Sequence, residues 1–285
     1  MKIRIGFIYA ISAAIVWAIT IVLYRIVLTG GENPYNLTFW TTVLALPYWL
    51  IMVFRERTNF RALQRSDYVL LAAMALVSSV GVGLAEVFAL TYSPAVNFAF
   101  LIRTVTVFTI LFAYIFLRER ITREKLILVV ILLVGSYFLA TGDNSIRFTR
   151  GDLFTILEAI LIAFGTNVLG KLSTNRMSAN TVSSGRFMIS VIPLVILALA
   201  NTAIAVPHQL PLVLLITFLD FLLAVLIFQG FKHSTATFMT MIMSFTPVFV
   251  SFMAFPFLGE SLTITQIFGG ALIVLAGILV EKMKI

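Results

Sequence analysis

The sequence contains no cysteine and very little charge for its length. Without cysteine the chain has no disulfide framework, thiol nucleophile or cysteine-based metal site, and its two histidines, His208 and His233, are far apart in the sequence. Charged residues make up 11% of the 285 residues, whereas soluble domains contain roughly a quarter. So few charges cannot cover a water-facing surface, which excludes an ordinary soluble domain.

Hydrophobic residues, 61% of the chain, are grouped in runs long enough to cross a bilayer, which takes about 20 residues per helix. The connections are short, so no soluble domain is inserted. The first run resembles a signal peptide but continues to about Leu28, and we interpret it as an uncleaved first span. The pattern predicts an all-α integral membrane protein with ten transmembrane helices, near residues 5–28, 36–54, 68–90, 94–116, 124–141, 151–170, 180–200, 211–230, 235–258 and 263–281.

The net charge of +8 does not indicate a nucleic-acid partner, because the Lys and Arg residues lie between the apolar runs and not on one continuous face. With the amino terminus inside, fifteen of the twenty fall in cytoplasmic segments and the adjoining span ends. Three, Arg25, Arg147 and Arg150, fall on the outer side, and Arg103 and Arg186 fall within spans. This asymmetry predicts a multi-pass protein of the cytoplasmic (inner) membrane with both termini in the cytoplasm.

The two halves of the sequence contain matching segments in the same order. The matches are Ser93 to Thr122 with Ser234 to Thr263 at a constant offset of 141, Pro47 with Pro193 at 146, and Gly6-x7-Ala14 with Gly151-x7-Ala159. They indicate a five-helix repeat over residues 1–145 and a second over residues 146–285. An odd number of spans inverts the second repeat, so the loop with Glu119 faces inward and the loop with Glu260 faces outward. Inverted repeats are typical of secondary transporters, although a channel or membrane enzyme can also be duplicated.

The end of each fourth span carries one short motif. The two copies are Leu117-Arg118-Glu119-Arg120-Ile121-Thr122 and Leu258-Gly259-Glu260-Ser261-Leu262-Thr263, and Pro247 precedes Gly259 by twelve residues. This stretch resembles the EamA-type transporters of the drug/metabolite transporter superfamily, and the resemblance covers nearly the whole chain. The sequence departs from that pattern at Thr106, where the second repeat has Pro247, and at Arg118, where a small residue is usual. The resemblance implies export or exchange of small metabolites, without ATP hydrolysis, through a cavity between the repeats.

Ionisable side chains inside spans are costly unless they face a cavity or a partner, so each is a candidate functional residue. Four of them, Glu86, Arg103, Glu158 and Asp220, lie about 10 to 15 Å below the outer ends of their helices by helix rise. Glu86 and Arg103 are on spans joined by a tight turn and are predicted to be close enough to pair. The pair is either a structural salt bridge or a site where Arg103 binds an anionic group of the substrate and Glu86 orients it.

Three carboxylates against one guanidinium leave excess negative charge at this level of the membrane. A transported proton or a cationic amine of the substrate would balance it. Asp220 is favoured for this role because its predicted span has no Lys or Arg. Glu158, only two turns into its helix, suits a structural role equally well.

Two further side chains are candidates for the cavity. Trp17 lies near mid-depth in the first span, where its indole N–H needs a partner, and it either floors the cavity or packs between helices. Arg186 lies about 9 Å inside its span, where the family it resembles often has Arg, and it is a candidate for contact with a phosphate or a gate.

Other residues near the span ends have simpler interpretations. We expect Lys171 to extend towards lipid headgroups and Trp49 to anchor its helix at the membrane interface. Pro47, Pro193 and Pro247 each remove a backbone hydrogen bond within a span and are candidate hinges.

These features favour a secondary transporter of small, zwitterionic or amine-bearing metabolites such as amino acids, working by alternating access. A cationic-drug exporter is the alternative within this class, followed by a carrier of lipid-linked or phosphorylated sugars. An integral membrane enzyme is disfavoured, because the sequence has no His-rich metal cluster, Gly-rich phosphate loop or G-x-S-x-G motif. We therefore expect no catalytic residue, metal or cofactor. A channel or a membrane scaffold is the third class, and substrate saturation with counterflow distinguishes a carrier from a channel. The expected partners are a small-molecule substrate, membrane lipid and, where transport is coupled, a proton.

Overall fold

A computed structural model describes residues 2–141, 149–258 and 263–283 of the chain. The regular elements in these ranges are all helices, which confirms the predicted all-α class. Their bounds are α1 Lys2–Thr29, α2 Pro34–Arg55, α3 Arg57–Arg61, α4 Arg65–Tyr92, α5 Ala95–Leu101, α6 Thr104–Leu117, α7 Arg123–Thr141, α8 Arg150–Arg176, α9 Ala179–Asn201, α10 Leu210–His233, α11 Ala236–Met243, α12 Thr246–Leu258 and α13 Ile264–Met283.

The helices match the predicted spans closely. Among the described residues, seven stretches are long and apolar enough to cross a membrane, namely Ile5–Thr29, Pro34–Arg55, Arg65–Tyr92, Arg150–Arg176, Ala179–Asn201, Leu210–His233 and Ala236–Met253. Two shorter apolar helices are Thr104–Leu117 and Ile264–Val280. Each predicted span coincides with a helical segment to within a few residues, while ten membrane crossings remain a prediction.

Helix α1 packs most closely against α10. Its small side chains Ala10, Ala13, Ala14 and Ala18 are fully buried and allow close packing against α10. The other closely packed pairs are α4 with α8, α2 with α9, and α7 with α13. Exchanging the two predicted repeats converts the pair α1–α10 into α8–α4 and maps the other two pairs onto themselves. The pairs thus have the exchange symmetry of two repeats, while the division into inverted repeats stays a prediction; the boundary at 145/146 and the loop with Glu260 lie outside the described residues.

Two faces of the bundle are defined by the ends of α1. The amino-terminal face is the one at which α1 begins, and the opposite face is the one at which α1 ends. At the amino-terminal face, a Cβ on Gly6 would lie 2.9 Å from the Cβ of Ser234, in the turn between α10 and α11. At the opposite face, a Cβ on Gly151 would lie 2.7 Å from the Cβ of Ser93, in the turn between α4 and α5. Each turn thus lies against a glycine of a neighbouring helix, which only a residue without a side chain permits.

The fourth and ninth predicted spans are each broken into two helices. The first break lies at Ile102 and Arg103, and the second at Ser244 and Phe245. Arg103 and Ser244 differ by the repeat offset of 141, so the two breaks are at equivalent positions. The hydrophobic pattern of the sequence places Pro247 within a continuous span. In the structure Pro247 lies in the first turn of α12, where the missing N–H of proline is tolerated. Helices interrupted near the middle of the membrane are characteristic of transporter binding sites.

Two π-helical segments lie beside each other, Ala75–Gly81 within α4 and Ile162–Leu169 within α8. A π-helical turn holds more residues than an α-helical turn and is frequent at functional sites. A third π segment, Ala113–Leu117, ends α6 and is followed by Arg118 in the left-handed region, with φ 56°.

Candidate functional site

A cavity of about 230 Å³ lies between helices of both halves of the chain. The six residues predicted for substrate binding or coupling all line it: Trp17, Glu86, Arg103, Glu158, Arg186 and Asp220. They come from α1, α4, the break before α6, α8, α9 and α10. The four residues placed at one level by helix rise, Glu86, Arg103, Glu158 and Asp220, therefore line one cavity.

The predicted direct pair between Glu86 and Arg103 is not formed, because Trp17 lies between them. The Trp17 Nε1–H donates to Glu86 Oε1 at 3.2 Å, and the Arg103 guanidinium lies 5.0 Å from the centre of the Trp17 ring. The indole N–H thus has a hydrogen-bond partner, as a buried indole requires, and the ring face makes a cation–π contact with Arg103. The direct contact between Glu86 and Arg103 is therefore absent, while binding of a substrate group by Arg103 stays a prediction.

Arg103 is held at the break in the other half of the chain. Its Nη1 donates to the Met243 carbonyl at 2.7 Å, and the side chain is 1% exposed. Its Nε and Nη2 are buried and have no hydrogen-bond partner among the described residues. A guanidinium offers five N–H donors in a fixed fork, so Arg103 keeps donors available on the side not used by the carbonyl.

Glu158 is the carboxylate most in need of a partner. It is fully buried, and neither Oε1 nor Oε2 has a hydrogen-bond partner in the described part of the chain. It interacts electrostatically with Arg103 and with Glu86. A buried carboxylate without hydrogen bonds is strongly destabilising, so a bound group or a proton is expected to satisfy it. The sequence had left its role open between structure and function.

Asp220 is bound to a residue that sequence reasoning missed. The Tyr24 hydroxyl donates to Asp220 Oδ2 at 2.8 Å, which links α1 to α10. Tyr24 lies seven residues after Trp17, on the same face of α1, and this spacing was a signal in the sequence. One premise for Asp220 was wrong, because α10 extends to His233 and includes Lys232. Lys232 is twelve residues further along, about 18 Å by helix rise, and does not offset the charge at Asp220.

Arg186 lies beside the π-helical segment of α4. Its Nη1 donates to the Ser78 and Ser79 hydroxyl oxygens at 2.9 and 3.1 Å, and its guanidinium lies 4.9 Å from the Phe228 ring centre. Ser78 also shares a hydrogen bond of 2.6 Å with Thr166, in the π-helical segment of α8. Because Arg186 lines the same cavity, the described lining has three carboxylates against two guanidinium groups, and not against one as the sequence suggested.

The lining also includes residues that sequence reasoning missed or misassigned. Asn167 Nδ2 donates to the hydroxyl oxygens of Thr109 and Thr240, both at 2.8 Å, and joins α8 to both broken spans. Trp49 is not an interfacial anchor: it is 2% exposed, lines the cavity and stacks on Phe187 at 5.2 Å between ring centres. The described residues hold no group of three or more His, Cys, Asp or Glu arranged for a metal ion.

The candidate hinges have different surroundings. Pro47 lies inside α2 and Pro193 inside α9, and these two helices pack against each other and line the cavity. Their hinge role remains a prediction. Pro247 lies in the first turn of α12, directly after the break at Ser244 and Phe245, and its hinge role also remains a prediction.

The sequence matches a known transporter family, and the fold matches a solved structure. The model of the EamA-like transporter family matches twice, over residues 4–141 and 149–281. An uncharacterized transporter from Archaeoglobus fulgidus is 24% identical over 279 residues, covering 95% of this chain and 94% of that protein. An uncharacterized transporter from Methanothermobacter thermautotrophicus is 25% identical over 169 residues, covering 55% of this chain and 47% of that protein. One solved crystal structure superposes with a TM-score of 0.66 and 16% identity, covering 93% of this chain and 96% of its own, a likeness of fold.

Proposed function

The chain belongs to the EamA-like transporter family of membrane transporters, and on that premise we propose that it carries small zwitterionic metabolites, such as amino acids, by alternating access. The observation that supports this substrate class is the pair Arg103 and Glu158. Both are buried in one cavity, and each keeps polar atoms without a hydrogen-bond partner among the described residues. An α-amino acid offers the two matching charges.

The proposed binding mode uses the buried polar atoms of Arg103 and Glu158 that have no hydrogen-bond partner among the described residues. The carboxylate of the substrate accepts hydrogen bonds from Arg103 Nε and Nη2, the two-donor geometry that guanidinium groups offer to carboxylates. The ammonium group donates to Glu158, whose two oxygens are free. Trp17 orients Arg103 through its ring and Glu86 through its N–H.

The charge of the lining supports coupling to one proton. With every group ionised, the three carboxylates and two guanidinium groups in the described lining sum to one negative charge. A zwitterion adds no net charge, so one proton is needed for neutrality inside the membrane, where net charge is costly. We assign this proton to Asp220, because Glu158, whose two oxygens are free, is the proposed partner of the substrate ammonium group, whereas Asp220 already accepts a hydrogen bond from the Tyr24 hydroxyl. The same negative charge also favours a cationic substrate without a carboxylate, and a cationic-drug exporter is therefore the second candidate.

We further propose two inverted repeats, residues 1–145 and 146–285, in the cytoplasmic membrane with the amino-terminal face towards the cytoplasm. Support comes from the separate family matches to the two halves and from the excess of Lys and Arg on the cytoplasmic side of the predicted topology. The direction of transport is export or exchange, as the family resemblance implies.

Counterflow in proteoliposomes tests the proposal. Vesicles preloaded with an unlabelled amino acid should take up the labelled one transiently above equilibrium, with a rate that saturates. A channel would equilibrate the label without overshoot. If a panel of amino acids and amines shows no saturable counterflow, the proposed substrate class is wrong.

A further inference from the structure

Lys171 does not extend towards lipid headgroups, as the sequence had suggested, but holds the end of a neighbouring helix. Its Nζ donates to the carbonyls of Phe231 and Ser234 at 2.5 and 2.7 Å. Helix α10 ends at His233, so the Phe231 carbonyl in its last turn has no helical donor, and Ser234 is the residue directly after the helix. A cation at the carboxyl end of a helix satisfies these carbonyls and interacts favourably with the helix dipole.

Arg25 makes the same contact at the opposite face. Its Nη1 donates to the carbonyls of Leu90 and Thr91 at 2.5 and 3.2 Å. Helix α4 ends at Tyr92, so these are again carbonyls of a last helical turn. In both cases a cation near the end of one long helix holds the end of another helix, immediately before a tight turn.

The two contacts have equivalent donors and one equivalent carbonyl in the predicted repeat. Arg25 and Lys171 differ by 146 residues, as Pro47 and Pro193 do, whereas Leu90 and Phe231 differ by 141. The offset at the start of the same helices, between Gly6 and Gly151, is 145. The π-helical segment Ile162–Leu169 in α8 accommodates the one additional residue and so keeps Lys171 in register with Arg25.

Each held turn belongs to helices that carry the site. The turn at the opposite face joins α4, with Glu86, to α5, which ends before Arg103. The turn at the amino-terminal face joins α10, with Asp220, to α11, which ends at Met243. At the amino-terminal face Glu119 adds a second contact, since Glu119 Oε1 accepts from the Ala236 N–H at 3.1 Å. A displacement of either turn therefore moves site residues as well.

We propose that Arg25 and Lys171 are a matched pair of gate residues, each closing the cavity at one face by holding the adjacent helical turn. Release of Lys171 opens the amino-terminal face, and release of Arg25 opens the opposite face. The donors and carbonyls lie at helix ends, where water replaces a broken hydrogen bond. This inference rests on the alternating access of the proposed function, but it does not depend on the identity of the substrate.

The absence of cysteine makes the test direct, since any introduced cysteine is unique. Thr38→Cys reports on the part of the cavity towards the opposite face, and Ile227→Cys on the part towards the amino-terminal face. Each reporter is placed in the wild type, Arg25→Gln, Lys171→Gln and the double variant. Labelling by a membrane-impermeant maleimide is then measured from each side of oriented vesicles, without substrate.

The two single variants should shift access in opposite directions. The measured quantity is the ratio of labelling at Thr38→Cys to labelling at Ile227→Cys. Arg25→Gln should raise this ratio about tenfold, as expected for the loss of one charged hydrogen-bonding group. Lys171→Gln should lower the ratio by a similar factor. The double variant should return towards the wild-type ratio. Exposed cations near the same faces serve as matched controls, and neither Arg123→Gln nor Arg150→Gln should shift the ratio.

A purely structural role predicts a different outcome. Loss of a helix cap alone would lower thermal stability in both variants and leave the labelling ratio unchanged, or shift it in one direction, and either result overturns the gate assignment. If a variant does not fold, the conservative exchanges Arg25→Lys and Lys171→Arg provide the test, with smaller shifts of the same opposite signs. The two proposals can fail separately. If the wild type shows no counterflow but the two variants shift the labelling ratio in opposite directions, the proposed substrate class is rejected and the gate assignment stands.

Discussion

The Nη1 of Arg103 donates a hydrogen bond of 2.7 Å to the carbonyl of Met243, which connects the two broken spans. In a continuous helix this carbonyl would accept from the N–H of residue 247, but that residue is Pro247 and has no N–H. The Thr246 hydroxyl donates to the same carbonyl at 2.7 Å. The orientation of Arg103 in the cavity thus depends on a proline in the other half of the chain.

Replacing this proline should disturb the site without contact to the substrate. In Pro247→Ala the new N–H competes for the Met243 carbonyl, so Arg103 loses its fixed partner. We expect counterflow to fall roughly tenfold, the effect of one hydrogen bond to a charged group, while membrane insertion is retained. Pro193→Ala is the control, because it tests a hinge without a contact to Arg103, and it should leave the affinity for substrate unchanged. Equal affinity and rate in Pro247→Ala and the wild type would contradict the dependence.

Asp220 should be needed for coupling and not for exchange. Asp220→Asn keeps the shape and the hydrogen bond from Tyr24 but removes the exchangeable proton. We expect accumulation driven by a pH gradient to be lost in proteoliposomes, while counterflow continues. Tyr24→Phe, which keeps the carboxylate, should retain coupling. If Asp220→Asn equals the wild type with and without the gradient, Asp220 is a tolerated structural residue; loss of both modes assigns it to substrate binding.

Glu56, just beyond the end of α2, should make stability depend on pH. Burial raises the pKa of Glu56, but hydrogen bonds from Ser178, Asn59, Thr181 and Asn180 outweigh burial and hold the pKa below its ordinary value. A carboxyl with a lowered pKa stabilises the folded state above its unfolded pKa of about 4.3, and this contribution disappears as pH falls through the folded pKa.

The corresponding variant is Glu56→Gln, followed by thermal unfolding in detergent. It should be less stable than the wild type at neutral pH, and the difference should shrink below about pH 4. Combining it with Ser178→Ala should reduce the effect of Glu56→Gln, since Ser178 Oγ donates to Glu56 Oε2 at 2.6 Å. If the difference in stability between Glu56→Gln and the wild type does not change with pH, the effect comes from the shape of the side chain and not from its charge.

Replacing Arg118 by glycine is expected to stabilise the folded protein. It is the one described non-glycine residue with positive φ, and its left-handed conformation costs a residue with a side chain about 1–2 kcal/mol. The equivalent residue in the second motif is Gly259, which lies outside the described residues. Arg118→Gly should raise the unfolding temperature, whereas Arg120→Gly, which removes the same charge, should not. A lower unfolding temperature for Arg118→Gly would mean that its side chain makes a compensating contact.

The sequence predicted what depends on regular helix geometry. Hydrophobic runs located the helices, and a fixed rise per residue placed Glu86, Arg103, Glu158 and Asp220 at one level. It failed where the outcome depends on rotation and on neighbours from distant segments. The pair of Glu86 with Arg103 was inferred from adjacent spans, but Trp17 enters between them from α1.

A second class of error concerned side chains that bind backbone atoms of a distant helix, because the sequence does not show which backbone atoms are near. Lys171 was assigned to lipid because the carbonyls it binds belong to the backbone of another helix. One signal was nevertheless present. The repeat offset changes from 145 at Gly6 to 146 at Pro47, so the second repeat has one more residue between these positions, and the π-helical segment of α8 accommodates it.

The central claim is that Arg103 and Glu158 bind the two charges of a zwitterion. The most direct measurement is counterflow of an amino acid, its decarboxylated amine and its deaminated acid, each by the wild type, Arg103→Gln and Glu158→Gln. The wild type should prefer the amino acid. Arg103→Gln should lose this preference and retain the amine, and Glu158→Gln should lose the amine and the amino acid. The same order of the three compounds in all three proteins would contradict the claim.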